Sequence, residues 1–315
     1  MKVLKGSFFI GHYTDKKAMT GCSVIISPSG AIPGVAVRGG SPNTRDTDAL
    51  HPENNRQFSH GIVLSGGSGF GLAACDGVLQ FLEAKKIGRK IEEYVIPNVS
   101  GASLFDLKIG DSQVRPDKKA GFLAAKDAFL DSPLPFPQGN VGAGTGAVVG
   151  GIKGLDFAMK GGLGYCEYWQ KDLGVAALIA VNAIGDVYDE TTQTFIAGAR
   201  SKEGLGISEK IFLAHYPLTN ILSGNTVIGC VLTNASLSKG KTNKLAEVSH
   251  NGIARAIRPA HTTYDGDTLF ALCSQEVTAS FEAVEILATE AVRQAIINGV
   301  KQAKTYENFL AYEDL

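Results

Sequence analysis

Cysteine is scarce in this chain, and its spacing suits neither metal nor redox chemistry. The five cysteines, Cys22, Cys75, Cys166, Cys230 and Cys273, are odd in number and form no C-x-x-C pair. Each lies among apolar neighbours, where a free thiol behaves as a small hydrophobe. A disulfide framework is therefore not expected, and a reducing cytoplasm fits better. Long apolar runs are also missing. None approaches the roughly 18 residues that a membrane-spanning helix needs. The opening Met1-Lys2-Val3-Leu4-Lys5-Gly6-Ser7-Phe8-Phe9-Ile10 gives way at once to the polar Gly11-His12-Tyr13-Thr14-Asp15, which is not a signal-peptide pattern. Charge of one sign is absent too: 30 basic and 31 acidic residues leave a net charge of −1, with no block to attract nucleic acid or an anionic membrane. His12, His51, His60, His215, His250 and His261 show no H-x-x-x-H or mixed Cys/His spacing, so no metal or other cofactor is expected. There is no G-x-S-x-G elbow either, because Ser65-Gly66-Gly67-Ser68-Gly69 has the wrong order.

What is present is enough apolar material for a large core: 44% of 315 residues, against 19% charged. No repeat or low-complexity segment interrupts it. Cys22 to Val37 reads as a hairpin around the turn Ser27-Pro28-Ser29-Gly30. Arg38 to Gln57 reads as a polar loop. Ile62-Val63-Leu64 is a short buried strand that runs into Gly66-Gly67-Ser68-Gly69-Phe70-Gly71 and then a helix with Leu72, Cys75, Leu79 and Leu82 on one face. A second helix is predicted over 117–130, and a glycine-rich loop over 139–154. Paired strands follow within 161–188, clearest over 175–181, and 202–223 reads as loop-rich. The β-branched run Thr226-Val227-Ile228-Gly229-Cys230-Val231-Leu232 predicts a central strand. Helices over 241–257 and 280–303 enclose another strand at Thr268-Leu269-Phe270-Ala271-Leu272. This mixture predicts an α/β (α+β) plan of four layers, α-β-β-α, rather than a doubly wound parallel sheet.

Several short segments could carry chemistry. Gly66 to Gly71 lies between a strand and a helix, as a dinucleotide fingerprint would. Its spacing is not G-x-G-x-x-G, and no acidic strand end follows about 20 residues on. It is equally a tight turn, or a place where the Gly66 and Gly67 N–H groups hold an oxyanion. Gly224-Asn225-Thr226 is a common kind of strand opening, but it also fits an N-terminal nucleophile. The threonine hydroxyl can attack the Asn225 carbonyl. Opening of the resulting ester leaves Thr226 with a free α-amine of reference pKa near 8, able to act as base for its own hydroxyl. Asp265 and Asp267 flank Gly266 before a strand and read either as a solvated turn or as a carboxylate pair able to bind a cation or an ammonium group. Lys153 is an isolated charge in a glycine-rich loop, and Asn182 closes a strand, either as a turn residue or as an oxyanion donor.

Together these segments resemble the DmpA-type peptidases, described as L-aminopeptidase/D-esterases and β-peptidyl aminopeptidases, and their relative the endo-type nylon-oligomer hydrolase. The resemblance runs over nearly the whole chain. It rests on the segments Leu64 to Leu72, Gly224 to Gly229 and His261 to Phe270, in that order. It implies an α-β-β-α sandwich of the N-terminal-nucleophile type. It implies self-cleavage between Asn225 and Thr226 into 1–225 and 226–315, with Thr226 as nucleophile. It places Asn182 at the oxyanion, Lys153 as an assisting group, and Asp265 and Asp267 beside the nucleophile. Asp265 matches the nylon-hydrolase branch, where the aminopeptidase branch has serine. Phe105 stands where that hydrolase has a tyrosine, so a hydroxyl is missing there. The resemblance further implies a small peptide or amide substrate and a homotetramer of processed pairs. Acyl transfer of the ornithine acetyltransferase type, and binding without catalysis on the same fold, are the competing expectations.

Overall fold

A computed structural model of the chain describes residues 1–130, 135–202, 204–214 and 224–315. The principal strands are β1 (Phe8–Asp15), β2 (Thr20–Val37), β3 (Ser59–Ser65), β4 (Val99–Ser103), β5 (Gly162–Gln170), β6 (Leu173–Asn182), β7 (Thr226–Ala235) and β8 (Thr268–Val277). The helices are α1 (Ala74–Ala84), α2 (Lys118–Ala128), α3 (Ser208–Ala214), α4 (Lys239–Ala256) and α5 (Phe281–Lys301). Side-chain oxygens of Asp117, Ser238 and Ser280 accept the exposed N–H groups at the starts of α2, α4 and α5.

The strands join in the order β5-β6-β7-β8-β2-β3-β4. The long β2 is the seam. Its first half pairs with β1 and β3, and its second half pairs with β8. The expected hairpin at Ser27 to Gly30 is therefore corrected: the two apolar runs do not pair with each other. The register breaks between Ile26 and Ala31, and the strand carries on into the other half of the sheet. Each run has a better partner elsewhere, and the local turn signal only bends the strand.

Packing then separates four layers. Ile25, Ile62 and Leu64 of one half meet Leu178, Ile228, Cys230, Phe270 and Leu272 of the other in a single buried cluster. Outside the first half, Val24, Ile26 and Val63 pack on α1 and α2 through Val78, Leu82, Ala120 and Ala124. Outside the second half, Val175, Val231 and Leu269 pack on α4 and α5 through Leu245, Ile253, Val284 and Val292. This is the predicted α-β-β-α arrangement. Both faces of β7 are covered, so its β-branched run is buried throughout. β7 and β8 are parallel, and α4 supplies the crossover that parallel neighbours require. Part of the 202–223 segment expected as loop is helical, as α3. Residues 203 and 215–223 lie outside the described part.

Candidate active site

The topology sets three segments side by side. β6 ends at Asn182, which is directly opposite Thr226, the first residue of antiparallel β7. Asn225 bridges in parallel to Asp265, just before β8. Thr226, Asn225, Asn182, Asp265 and Asp267 are all buried. These five singled-out positions, from three segments far apart in sequence, thus meet at one end of the second sheet half.

The Thr226 hydroxyl donates to the carbonyl oxygen of Asn225 at 2.6 Å. The same oxygen accepts the Gly266 N–H at 3.0 Å. Gly224, at φ +105°, lies flat against Phe105; a Cβ there would sit 2.8 Å from the Phe105 ring. The peptide before Thr226 is thereby pinned on both sides. Asn182 is held as well: its Oδ1 accepts the Val148 N–H at 3.0 Å, and its Nδ2 donates to the Phe105 carbonyl at 3.2 Å.

The two aspartates differ in their partners. Asp267 accepts from the Val227 N–H at 2.8 Å through one oxygen, and from the His261 N–H at 3.0 Å and Nδ1 at 2.8 Å through the other. Three donors suit an ionised carboxylate. Asp265 accepts from the Thr262 N–H at 3.0 Å and the Thr262 hydroxyl at 2.5 Å. Burial, and secondly the charge of Asp267, push Asp265 up to about 7. Two adjacent buried carboxylates cannot both ionise cheaply, so the pair retains a proton near neutral pH.

Two of the predicted elements are not bonded to these residues among those described, although the loop that carries Lys153 lies beside them: Gly150 N–H bonds the Ala183 carbonyl, next to Asn182, and Ile152 packs with Ile184 and Tyr264. Lys153 ends a short 3₁₀ turn, is exposed, and places its ammonium 4.0 Å from the Phe157 ring centroid. It lines a cavity of about 830 Å³ with Arg200, Lys202, Lys210, Ile207 and Ile211. Among the described residues no hydrogen bond or ion pair joins it to Thr226, Asn182 or the aspartates. The Gly66 and Gly67 N–H groups are already engaged, by the Gly21 carbonyl at 2.8 Å and by Asp106 Oδ1 at 2.7 Å. They do not point at the Asn225 carbonyl.

The sequence reading missed Lys160. It is fully buried, and its ammonium donates to the carbonyls of Ala147 at 2.6 Å and Thr145 at 3.0 Å. Burial lowers it to about 7, against the opposing pull of Asp106. Its neighbourhood adjoins Asn182, since Val148, which bonds Asn182, pairs with Lys160 in a short ladder. A lone charge ahead of the apolar strand β5 was the available signal. His261 and Thr262, which hold the aspartates, were also missed. Their roles depend on a tight local loop that residue type alone does not reveal.

Two facing sheets with helices outside give the chain a fold of the N-terminal-nucleophile hydrolase type. Similar solved structures include the L-aminopeptidase D-Ala-esterase/amidase of Ochrobactrum anthropi, described as a variant of the Ntn hydrolase fold (TM-score 0.69, 17% identity, covering 94% of this chain and 84% of that one). A Burkholderia sp. beta-aminopeptidase is similar too (TM-score 0.66, 19% identity, 94% and 85%). At the sequence level, an uncharacterized aminopeptidase of Mycobacterium leprae is 37% identical over 293 residues, 87% of this chain and 78% of that protein. The 6-aminohexanoate-oligomer endohydrolase of Paenarthrobacter ureafaciens is 31% identical over 275 residues, 84% and 72%. The sequence profile of peptidase family S58 matches residues 7–311. The chain belongs to peptidase family S58 and is a hydrolase of peptide or amide bonds.

Proposed function

We propose that the chain cuts itself between Asn225 and Thr226, and that Thr226 then works as an N-terminal nucleophile on small peptides or amides. The observation that carries this is the 2.6 Å contact between the Thr226 hydroxyl and the Asn225 carbonyl within a buried peptide. A hydroxyl held against the preceding carbonyl is poised for an N→O shift, and buried geometry suppresses competing conformers. Hydrolysis of the ester would leave pieces 1–225 and 226–315.

In turnover the Thr226 oxygen attacks the scissile carbonyl, forms an acyl-enzyme and is freed by water. The new α-amine, with a reference pKa near 8, takes the hydroxyl proton. Asn182, across the ladder from Thr226, donates to the oxyanion of the bound substrate. Lys160, which burial lowers to about 7 beside the Val148–Asn182 contact, is a second candidate to carry a proton. An ionised Asp265 or Asp267 would hold a substrate ammonium, which would make the enzyme an aminopeptidase. A homotetramer of processed pairs in the cytoplasm completes the proposal.

Intact mass measurement on purified protein tests the first step. Two species meeting at Asn225–Thr226 are expected, and a Thr226→Ala chain that is still cut there would overturn the reading. A panel of N-terminal amino-acid amides tests the second step. Light scattering on the processed protein tests the tetramer.

A further inference from the structure

We infer that the backbone N–H of Gly266 is the oxyanion donor for self-cleavage, an inference that rests on the self-cleavage reading above. The Asn225 carbonyl oxygen accepts both the Thr226 hydroxyl at 2.6 Å and the Gly266 N–H at 3.0 Å. These two contacts have different fates. When Thr226 Oγ bonds to the Asn225 carbon, its proton passes to the ionised member of the aspartate pair, which reaches the adjacent Val227 N–H through Asp267 Oδ1, and the hydroxyl's hydrogen bond to the oxygen is lost. The carbonyl π electrons then localise on that oxygen, where the Gly266 N–H already points. Collapse re-forms the carbonyl, breaks the C–N bond and returns a proton to the departing nitrogen. Water afterwards opens the ester.

The donor is fixed before the charge develops, which is what makes such a group effective. Gly266 lies between Asp265 and Asp267, whose side chains are tied to Thr262, His261 and Val227. Their carbonyls are tied too: Ser41 N–H donates to Asp265 at 2.8 Å, and Arg38 N–H to Asp267 at 2.9 Å. The approach is also too close for a side chain. A Cβ on Gly266 would stand 2.7 Å from the Ser41 carbonyl and 2.9 Å from Thr226 Oγ1. Asn182, by contrast, directs its Nδ2 to the Phe105 carbonyl in the uncut chain. The two donors thus divide the work: Gly266 serves the chain's own peptide, and Asn182 serves the incoming substrate.

The test replaces one N–H by an ester oxygen and adds no side chain; the ester also weakens the Asp265 carbonyl as acceptor of the Ser41 N–H. Glycolic acid is placed at position 266 of the full chain by nonsense suppression in cell-free translation, and cleavage is followed on a denaturing gel. The protease-resistant fraction alone is scored. Loss of one such donor should slow cleavage about 10²–10³-fold. Glycolic acid at the exposed Gly240, where an added Cβ would meet nothing within 4 Å beyond its own helix, is the control and should leave the rate within about threefold. Cleavage of the 266 ester chain at the rate of the all-amide chain would overturn the inference. An all-amide chain that is itself never cut would instead sink the self-cleavage reading. Hydrogen exchange on the uncut Thr226→Ala chain gives a second measure independent of the ester. The Gly266 amide should be protected like those of β7, and an unprotected amide would overturn the inference.

Discussion

Two glycine-bearing strand ends can be set against each other: the turn after β3, at Gly66 to Gly71, and the entry to β7, at Gly224 to Thr226. Both combine close-packed glycines, a buried carboxylate and backbone N–H donors. After β3 the inventory closes on itself. Gly67 N–H and the Thr20 hydroxyl, at 2.7 Å each, satisfy Asp106, and Gly66 N–H goes to Gly21. At β7 the same kinds of group converge on one peptide carbonyl, with a hydroxyl one atom from attack and a second carboxylate that burial and its neighbour keep partly protonated. Donors that satisfy fixed acceptors build a turn. Under the proposed self-cleavage, donors aimed at a bond that changes build a reaction site.

The largest expected effect breaks that contrast at its centre. Thr226→Ala should leave the chain whole and lower amide hydrolysis by on the order of 10⁴–10⁶-fold, as loss of a nucleophile does elsewhere. Its melting temperature should hold near that of the natural chain, since only a hydroxyl and a methyl are lost from the strand. Mass and kcat/KM measurements check both halves.

Asp267→Asn should come next, at about 10²-fold in the rate of self-cleavage. Its sharper readout is pH. The rate should rise with pH through about 7 as the buried pair loses its shared proton. Removing the like charge of Asp267 lowers the cost of ionising Asp265, so the midpoint should move to lower pH. Stability follows the opposite sign. A carboxylate raised in the fold contributes stability below its unfolded pKa near 4 and loses it as pH climbs through about 7. The uncut Thr226→Ala chain should therefore melt lower at pH 8 than at pH 5, and Asp265→Asn added to it should flatten that difference.

The sequence was most legible where periodicity and burial agree. β7, β6, α4 and α5 were visible because each presents a continuous or helically spaced apolar face, and the four layers follow from packing those faces. The hairpin within β2 was misread because a Ser-Pro-Ser-Gly signal is local, while the partners of its two arms lie elsewhere in the sheet. At the candidate site, motif order pointed to Thr226, Asn182, Asp265 and Asp267, and the structure brings their segments together. Lys153 is singled out by the family resemblance, whereas Lys160 carries no motif and its burial cannot be read from a single lysine in the sequence. The structure separates them: Lys153 lies over Phe157 in the open, and Lys160 lies among carbonyls in the core.

That separation yields a smaller prediction. Lys160→Met should lower kcat/KM about 10-fold or more and cost roughly 1–3 kcal/mol, because the Ala147 and Thr145 carbonyls lose their buried donor. Lys153→Met should change kcat/KM by about twofold or less. Equal losses for the two variants, measured side by side on amide substrates, would support the role that the family resemblance gives Lys153.

The smallest effect on chemistry is expected at the other member of the comparison. A Cβ on Gly71 would stand 1.7 Å from the Gly66 carbonyl oxygen and 2.8 Å from Ser65 Oγ, so the turn after β3 must shift to accept Gly71→Ala. Such overpacking costs about 1–3 kcal/mol. For a chain of this size that should lower the melting temperature by several degrees. The turn adjoins the start of β7 through the 104–106 segment, where Asp106 bonds the turn and the Phe105 carbonyl accepts from Asn182, and through 41–43, where Asn43 lies near Gly69 and Ser41 N–H bonds Asp265. If the turn is purely structural, folded Gly71→Ala protein should cleave itself and hydrolyse amides within about twofold of the natural chain. A fall of tenfold or more in kcat/KM at unchanged folded fraction would show that the two strand ends work as one site.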